Sequence, residues 1–299
     1  MKKIGIDVGS MYTKTINNVM RSTVREKRGD DIKENMLGIE GELVKVERGR
    51  YVVGGKGNVI DSLIKNRFGY YIILISVMLY KESMQDVNKF KILVGLPIGI
   101  YAKNKDDMQM MLMKGMKNLR CEMAGVEKVV SVEDVEVFPE GAGVYFAKNE
   151  IVANKKSLII DFGGLSVDVL NFSERGRLKK YSSYRYGTMT IFTKIAQMIN
   201  SLYGTYLDEW DVDSDMRNKG KISVGGEEVR EVEDIIDNEV QELINKIRLD
   251  FDLRSMDVIL LSGGGSQIKK VGSVFRMNHK NVYVDSESTV SNVKCKSKK

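Results

Sequence analysis

The stretch Leu158-Ile159-Ile160-Asp161-Phe162-Gly163-Gly164 combines the pattern of a short buried strand with an acidic, glycine-rich turn. The segment Ile4-Gly5-Ile6-Asp7-Val8-Gly9-Ser10 repeats that pattern near the start of the chain. A third strand pattern, Ile259-Leu260-Leu261, is followed by Ser262-Gly263-Gly264-Gly265. Glycine lets a backbone approach phosphate oxygens closely, and adjacent N–H groups can cradle an anion. The three turns together therefore indicate nucleotide binding.

The two acidic turns open two halves of similar organisation. Each half begins with a strand and an Asp-containing turn, continues with further strands and then adds helices. Mixed strands and helices predict an α/β fold, and the repetition predicts two duplicated domains. We place the first domain at residues 1–154, with a small hairpin subdomain near residues 33–57, and the second at residues 155–299.

Composition excludes several classes of protein. The chain has 299 residues, of which 42% are hydrophobic and 29% charged, as in ordinary globular proteins. Its two cysteines, Cys121 and Cys295, form no CxxC pair, so we expect no disulfide framework, no zinc site and a reducing, cytoplasmic setting. Much of the net charge of +6 lies in a Lys-rich C-terminal stretch without a recognisable DNA-binding module, so we expect no direct contact with nucleic acid.

Hydrophobic periodicity predicts the elements between the turns. Residues 70–80 are apolar nearly all round, which predicts a buried helix too short to cross a membrane. Residues 43–53 alternate around Arg48-Gly49 and predict a hairpin. The acidic residues after Asn104 predict a helix start, and Pro139 is expected to open another helix. Helical spacing predicts two further helices, at residues 188–201 and 229–251.

The two Asp-containing turns suit the complex of a nucleotide with magnesium. A carboxylate repels a phosphate, so the useful role of Asp7 and Asp161 is to hold a hydrated Mg²⁺, which keeps several waters and takes few carboxylates. Ser10 can donate its hydroxyl to a phosphate, and Lys14 can neutralise one. Two such turns facing each other would clamp the phosphates from both sides.

The third turn differs from the other two. It lies between a predicted strand and a predicted helix, where Gly263 and Gly264 would let a base or ribose lie against the backbone. The segment has neither the Gly-Lys-Ser/Thr of a Walker A loop nor the full GxGxxG spacing of a dinucleotide site. Either Asp-containing turn by itself is explained equally well by a hairpin that requires glycine, whereas the set of three favours a functional site.

Four stretches of the chain resemble motifs of one superfamily, the actin, sugar kinase and heat-shock chaperone ATPases. They are similar to its first phosphate motif, its domain-joining segment, its second phosphate motif and its adenosine motif, at residues 4–14, 135–143, 158–169 and 258–267. Leu96-Pro97-Ile98-Gly99-Ile100-Tyr101 also resembles a Leu-Pro segment before a Tyr in the ParM/StbA family of bacterial plasmid-segregation proteins. Within the superfamily, the chain resembles that family.

The resemblance implies an actin-like fold, with two duplicated ribonuclease-H-like domains flanking a nucleotide cleft. It implies that Asp7 and Asp161 organise the waters of Mg²⁺ and that Glu140 orients the attacking water, a role that suits a carboxylate. The other explanation of Glu140 is an acidic residue in the first turn of a helix. The remaining implied site residues are Gly9, Ser10 and Lys14 on one side of the phosphates, Gly163 and Gly164 on the other, and Gly263 and Gly264 on the nucleoside.

The chain departs from the family pattern in two places. Leu165-Ser166 stands where the family often has two threonines, and the Lys-rich C-terminus replaces an apolar helix that contains glycine. A separate acidic run, Asp211 to Asp215, has the opening spacing of an EF-hand, but Met216 and Ile222 occupy the positions that need Gly and Glu. We therefore predict an acidic surface loop rather than a calcium site.

The resemblance implies a filament-forming protein that hydrolyses ATP or GTP with Mg²⁺, in which hydrolysis through Glu140 destabilises the polymer. Such a filament needs head-to-tail self-association. The implied task is the movement of plasmid DNA through a DNA-bound adaptor protein, with no membrane involved. The alternatives are a sugar-type kinase of the same superfamily and a structural filament with little hydrolysis. A chaperone ATPase is disfavoured because no substrate-binding domain follows the third motif.

Overall fold

The computed structural model describes residues 1–27, 41–55, 68–84 and 88–286. The chain divides into two compact units, and the second begins at Val144. The domain boundary predicted at residues 154/155 stays a prediction. The predicted hairpin subdomain near residues 33–57 lies only partly within the described residues, and the Lys-rich C-terminus lies outside them.

The first unit is built on one mixed sheet and two long helices. Nine strands are described in the sheet, in the order β3-β2-β1-β7-β9-β8-β5-β6-β4. The strands are β1 (Lys2–Val8), β2 (Tyr12–Lys14), β3 (Val19–Arg21), β4 (Val24–Glu26), β5 (Glu42–Val46), β6 (Gly49–Val53), β7 (Lys89–Leu96), β8 (Leu119–Met123) and β9 (Val126–Pro139). The helices are α1 (Phe68–Glu82) and α2 (Ile98–Gly115).

Helix α1 provides much of the core of the first unit. Its central residues Leu74, Ile75, Val77, Met78 and Leu79 are fully buried, as the apolar run predicts. They belong to one apolar cluster with side chains of the β-sheet and of α2. A helix that is hydrophobic all round is stable only when it is covered on every side, and here the unit covers it. No described helix is long and apolar enough to cross a membrane.

The second unit has a five-stranded sheet with helices. Two short helices, α3 (Ala142–Ala147) and α4 (Asn149–Val152), follow β9. The sheet order is β12-β11-β10-β15-β16. Its strands are β10 (Ser157–Phe162), β11 (Val167–Phe172), β12 (Leu178–Tyr184), β15 (Val258–Ser262) and β16 (Val282–Val284). Between β12 and β15 come α5 (Thr188–Tyr203), α6 (Glu209–Asn218), the small hairpin β13 (Ser223–Val224) and β14 (Glu227–Glu228), and α7 (Glu231–Asp250), while α8 (Lys269–Asn278) precedes β16.

The two units share one strand plan. In the first, β1 pairs antiparallel with β2 and parallel with β7, and β7 pairs parallel with β9. In the second, β10 pairs antiparallel with β11 and parallel with β15, and β15 pairs parallel with β16. Each core sheet therefore has its third, second, first, fourth and fifth strands side by side in that order. The predicted α/β fold and the predicted duplication are confirmed.

Most of the predicted elements are present with small shifts in their bounds. The hairpin is formed by β5 and β6, and the helices expected at residues 188–201 and 229–251 are α5 and α7. Two helix starts were placed wrongly. Helix α2 begins at Ile98 rather than near Asn104, because Pro97 ends β7 and its fixed φ of −49° leads into the helix. Pro139 ends strand β9 instead of opening a helix, and α3 starts only at Ala142.

The predicted acidic loop at Asp211 to Asp215 is wrong, because these residues lie in helix α6. Asp208 caps this helix: its carboxylate accepts hydrogen bonds from the backbone N–H groups of Trp210 and Asp211. The Asp211 carboxylate in turn accepts from the N–H of Asp208 at 3.0 Å. Such a reciprocal capping box satisfies donors that a helix start leaves open. The Asp-rich spacing therefore encodes a capped helix, and the exclusion of a calcium loop stands.

Candidate nucleotide site

The first acidic turn joins β1 and β2 in a tight hairpin. The N–H of Gly9 donates to the carbonyl of Tyr12 at 3.1 Å. A Cβ at Gly9 would lie 2.9 Å from that same carbonyl oxygen, so only glycine fits without a shift of the backbone. Asp7 and Lys14 are directly opposite each other on the paired strands, and their side chains therefore share one face of the sheet. The hairpin places the Asp7 carboxylate, the Lys14 ammonium and the Ser10 hydroxyl near the carboxyl end of β1.

The second acidic turn has the same construction between β10 and β11. The N–H of Gly163 donates to the carbonyl of Ser166 at 2.9 Å, and a Cβ at Gly163 would lie 2.8 Å from that oxygen. Asp161 occupies the position that Asp7 has in the first hairpin, and Gly164 occupies that of Ser10. The match extends to the hydrogen bond that closes each turn, which chance resemblance of two short motifs does not explain.

The two hairpins differ in charge at one position. The residue opposite Asp7 is Lys14, whereas the residue opposite Asp161 is Asp168. Asp168 is buried, and burial raises its pKa, although a hydrogen bond with Ser183 opposes that effect. Its Oδ1 atom has no hydrogen-bond partner among the described residues. Asp168 was not among the site residues predicted from the sequence, although its place seven residues after Asp161 mirrors that of Lys14 after Asp7.

The third turn lies against the second hairpin. Parallel pairing of β10 and β15 sets Asp161 beside Ser262, so both strands end at the same edge of the sheet. Gly263 has φ +79°, a left-handed conformation that side chains disfavour. A Cβ at Gly263 would lie 2.5 Å from the carbonyl oxygen of Phe162 and closer still to Oδ1 of Asp161. Glycine is therefore required where the phosphate and nucleoside motifs meet.

Arg217 is a candidate site residue that sequence reasoning missed. Its Nε donates to both carboxylate oxygens of Asp213, at 2.8 and 2.9 Å, and that carboxylate is completely buried. The guanidinium reaches the third turn, where a Cβ at Gly264 would lie 3.3 Å from Nη2. The buried partner holds the flat cation against this turn. The spacing of Asp213 and Arg217, four residues apart on a helix, is the signal that could have revealed the pair.

Helix α5 begins on the second hairpin. The N–H groups of Thr188 and Met189 donate to the carbonyls of Gly163 and Gly164, at 3.0 and 2.9 Å. Gly187, just before the helix, has no room for a side chain, because a Cβ there would collide with the Gly164 carbonyl. The first turn of α5 thus fixes the backbone of the hairpin.

Glu140 lies at the same sheet edge of the first unit as Asp7. Strands β1, β7 and β9 are parallel, and the register pairs Ile6 with Val94 and Val94 with Val137. The N–H of Glu140 donates to the carbonyl of Leu96 at 2.8 Å, which extends the β7–β9 ladder by one bond. Two strand spacings, roughly 10 Å, separate β9 from β1. Glu140 is in the turn before α3 and not in the first turn of a helix. The helix dipole is therefore a weaker explanation for an acidic residue at this position.

The structure therefore gathers the predicted residues into two groups. Asp7, Gly9, Ser10, Lys14 and Glu140 are at the carboxyl edge of the first sheet. Asp161, Gly163, Gly164, Gly263 and Gly264 are at the carboxyl edge of the second. Ligands of open α/β sheets bind outside the carboxyl ends of strands. Both groups have the location that a ligand site requires.

The described residues limit the kind of metal site that each unit can provide. Among the described residues, no group of three or more His, Cys, Asp or Glu side chains is arranged to hold a metal ion. A site built only from protein ligands is therefore not found in that part of the chain. Mg²⁺ keeps most of its waters in phosphate complexes and needs only one or two carboxylates, and Asp7 and Asp161 each offer one at the carboxyl edge of their own sheet.

Comparison with known proteins identifies the fold. Residues 5–143 match the family model for the N-terminal domain of actin-like proteins. Over these residues the chain resembles actin-like proteins. The whole chain also superimposes on solved structures of actin-like proteins at low sequence identity. No curated protein sequence matches it.

Three solved structures illustrate the match. A 15-stranded ParM filament from Clostridium botulinum is 18% identical, covers 100% of this chain and 99% of its own, and has a TM-score of 0.76. The archaeal actin homolog Ta0583 in complex with ADP is 16% identical, with 100% and 98% coverage and a TM-score of 0.79. The Alp12 filament structure is 18% identical, with 100% and 98% coverage and a TM-score of 0.68. At such identity the likeness establishes the actin-like fold of this chain, as predicted.

Proposed function

We propose that this protein is a nucleotide-driven filament protein that hydrolyses ATP or GTP and moves plasmid DNA through a DNA-bound adaptor protein. The observation that carries the proposal is the pair of matched hairpins, each at the carboxyl edge of its sheet and each closed by the same hydrogen bond. Solved structures with this fold include two filaments and one complex with ADP, which supports both polymer formation and nucleotide binding.

Each residue has a role that follows from its chemistry. The hydroxyl of Ser10 and the ammonium of Lys14 bind phosphate oxygens, and the glycines of both hairpins let backbone N–H groups approach them. Gly263 and Gly264 receive the nucleoside, and Arg217 offers a flat cation on which a base can stack. Asp7 and Asp161 would hold Mg²⁺ through water, and that ion neutralises charge on the phosphates when bound.

Hydrolysis requires a water aligned with the terminal phosphorus. The Glu140 carboxylate accepts a hydrogen bond from that water, orients it and takes up its proton. Its backbone is fixed by the bond to the Leu96 carbonyl, so the side chain starts from a defined point at the end of β9. Filaments assemble with nucleoside triphosphate, and hydrolysis weakens the contacts between subunits.

The experiment mixes the purified chain with ATP-Mg²⁺ or GTP-Mg²⁺ and follows light scattering, pelleting and phosphate release. We expect a polymer that forms only with nucleotide and decays as phosphate appears. The absence of a nucleotide-dependent polymer over a wide range of protein concentration would refute the filament function. Phosphorylation of a sugar without polymer would instead assign the sugar-type kinase.

A second comparison isolates the role of Glu140. Glu140→Ala should polymerise but release phosphate on the order of 100-fold more slowly, because a positioned general base contributes about that factor. Its filaments should therefore persist. Glu127→Ala is the matched control, since Glu127 is exposed on the same strand, where β9 pairs antiparallel with β8, far from the end at Glu140. Phosphate release by Glu140→Ala at the wild-type rate would remove Glu140 from its role.

Plasmid movement is tested in cells. A plasmid whose partition depends on this gene should be lost at close to the random rate when the gene encodes Glu140→Ala. Filaments that do not disassemble cannot go through repeated rounds of growth and shrinkage, which moving the plasmid requires. The Glu127→Ala gene should leave inheritance unchanged. Equal inheritance with all three genes would reject plasmid segregation while leaving the polymerisation result untouched.

A further inference from the structure

The loop between α5 and α6 exposes an unusual amount of apolar surface. Leu202 is 61% exposed, Tyr203 47% and Tyr206 98%. A tyrosine ring is normally packed in part against neighbouring residues, and several exposed apolar side chains in one place mark an interaction surface. We call the segment from Leu202 to Tyr206, with the first turn of α6 that follows it, the tip.

The tip is also strongly acidic. No lysine or arginine occurs between Lys194 and Arg217, whereas five acidic residues do. The acidic residues that follow the exposed tyrosines most closely in sequence are Asp208, Glu209 and Asp211, all in the capped start of α6. The tip therefore joins aromatic surface to negative charge.

A second surface of the same unit has the opposite charge. An open groove of about 510 Å³ lies beside the amino ends of β10 and β15 and the turn between β11 and β12. Lys156, Arg175, Arg177 and Lys179 line it with one carboxylate, that of Glu174. Its buried lining residues include Phe172 and Met256, so the groove has apolar surface beneath the cations. We call it the basic groove.

The tip and the basic groove are at opposite ends of the second unit. Lys194 on α5 pairs with Glu239 on α7 at 2.7 Å, and Tyr186, before α5, contacts Glu239 and Lys246. Later residues of α5 therefore contact earlier residues of α7, so the two helices are antiparallel. Tyr203 is nine residues beyond Lys194 on α5, and Asp250 is eleven residues beyond Glu239 on α7. Because the helices run in opposite directions from this ion pair, at 1.5 Å per residue, Tyr203 and Asp250 are about 30 Å apart.

Asp250 marks the groove end of the unit. It bonds to Lys180 on β12, and the chain runs on from it through Phe251 to Met256 in the basic groove. The tip of one molecule therefore cannot reach the groove of the same molecule. Contact between the two is possible only between copies. A contact between unlike surfaces is head-to-tail, and it builds an open filament when the rotation between copies does not close a ring.

We infer that the tip of one copy docks into the basic groove of the next and forms the head-to-tail contact along the filament. This inference rests on the proposed filament function and gives that function its contact surface. Tyr206 and Leu202 enter the groove, where Arg175 and Arg177 bind the tyrosine ring and the carboxylates of the α6 start. Both arginines are exposed, and both tip residues are exposed, so no core packing must be broken for docking.

Two variants separate the two sides of the contact. The tip variant carries Leu202→Ser and Tyr206→Ser, and the groove variant carries Arg175→Glu and Arg177→Glu. Each should bind a fluorescent ATP analogue as the wild type does, and its critical concentration for polymerisation should rise by 100-fold or more. Tyr283→Ser and Lys117→Glu are the controls, because Tyr283 is as exposed as Tyr203 and Lys117 is exposed in the first unit. Both controls should polymerise normally.

Mixing the variants gives a sharper result. The tip variant keeps an intact groove and the groove variant keeps an intact tip, so an equimolar mixture should form heterodimers in analytical ultracentrifugation but no pelleted polymer. Wild-type critical concentrations for both variants would overturn the inference while the proposed function stands. A wild-type chain without polymer refutes the proposed function itself. If only the groove variant loses binding to phosphatidylserine vesicles and still polymerises, the groove serves an anionic membrane and the inference is wrong.

Cross-linking tests the contact inside intact filaments. In a Cys295→Ser background, copies with Ser201→Cys, next to the tip, are copolymerised with copies bearing Glu174→Cys in the basic groove and treated with a short bismaleimide. We expect cross-linked dimers in the pelleted polymer and none in the supernatant. Buried Cys121 remains in both variants. Pelleted filaments that give no dimer, with each cysteine variant polymerising as the wild type does, would overturn the docking.

Discussion

Glu82 offers the clearest test of how polar burial stabilises the first unit. It is the last residue of α1 and is only 5% exposed. Its carboxylate accepts hydrogen bonds from Thr15 at 2.6 Å, Asn18 at 2.9 Å, Lys2 at 2.9 Å and Asn17 at 3.0 Å. Thr15 to Asn18 form the turn between β2 and β3, so one buried carboxylate holds that turn to the end of α1.

The pKa of Glu82 gives the size of the effect. Burial alone would raise the pKa, but the hydrogen bonds from Lys2, Thr15, Asn17 and Asn18 outweigh it and lower the pKa from 4.5 to about 2. One pKa unit corresponds to about 1.4 kcal/mol, and solvent screening reduces the total to roughly 2 kcal/mol. Because the folded pKa is lowered, this stability is fully present above the unfolded pKa and is lost as the pH falls toward 2.

Glu82→Gln should therefore lower the free energy of unfolding by about 2 kcal/mol at pH 7. The difference from the wild type should shrink as the pH falls below 4.5. Urea unfolding followed by circular dichroism at several pH values measures it. The fluorescence of Trp210, the single tryptophan, reports the second unit separately.

The matched control is Glu122→Gln. Glu122 makes an exposed ion pair with Lys45 at 3.4 Å, and its removal should cost less than about 1 kcal/mol. A Glu82→Gln difference that stays constant from pH 7 to pH 3, or that is no larger than the control's, would refute the account of Glu82 as a buried, ionised anchor.

Three further predictions concern the second unit and the buried thiol. Gly263→Ala should abolish nucleotide binding, measured by titration with a fluorescent analogue, because its Cβ would displace the Asp161 carboxylate; binding within 3-fold of the wild type would contradict this. Asp168→Asn should raise the free energy of unfolding at pH 7 by about 1 kcal/mol, since burial raises the pKa of Asp168 and the charged form costs stability, a gain that should fade at acidic pH. In a Cys295→Ser background, Cys121 should resist a thiol reagent until the protein unfolds, because burial raises its pKa to about 12; rapid labelling of the folded chain would disprove it.

Much of the fold could be predicted from the sequence because local patterns encode it. Residues 4–7 and 158–161 are apolar runs that end at Asp and then Gly, and both became strands closed by the same hairpin bond. The spacing in α7 is strictly amphipathic, and its seven buried residues follow it. The repeated pattern also predicted two duplicated domains, and the two core sheets do share one strand order.

The candidate site was only partly predictable because some of its contacts join distant parts of the chain. Arg217 and Gly264 are far apart in sequence, and no local sequence pattern near either residue predicts that they are close in the fold. Glu82 is similarly remote from Thr15. The α6 helix was missed for another reason: Asp residues are weak helix formers, and the capping by Asp208 outweighed that propensity. At these positions, tertiary contacts and helix capping determine the structure more than the intrinsic propensity of the residues does.

Helix α5 connects the second hairpin, where we propose nucleotide binding, with the tip, where we propose subunit contact. Its first turn is bonded to the carbonyls of Gly163 and Gly164, and its last residue, Tyr203, belongs to the tip. A helix of 16 residues is a stiff rod about 24 Å long. A tilt of only about 5° at the hairpin would carry the far end of such a rod through roughly 2 Å. Helix α5 would thus act as a lever, and small movements of the second hairpin's backbone would become larger displacements at the tip, where neighbouring subunits would meet.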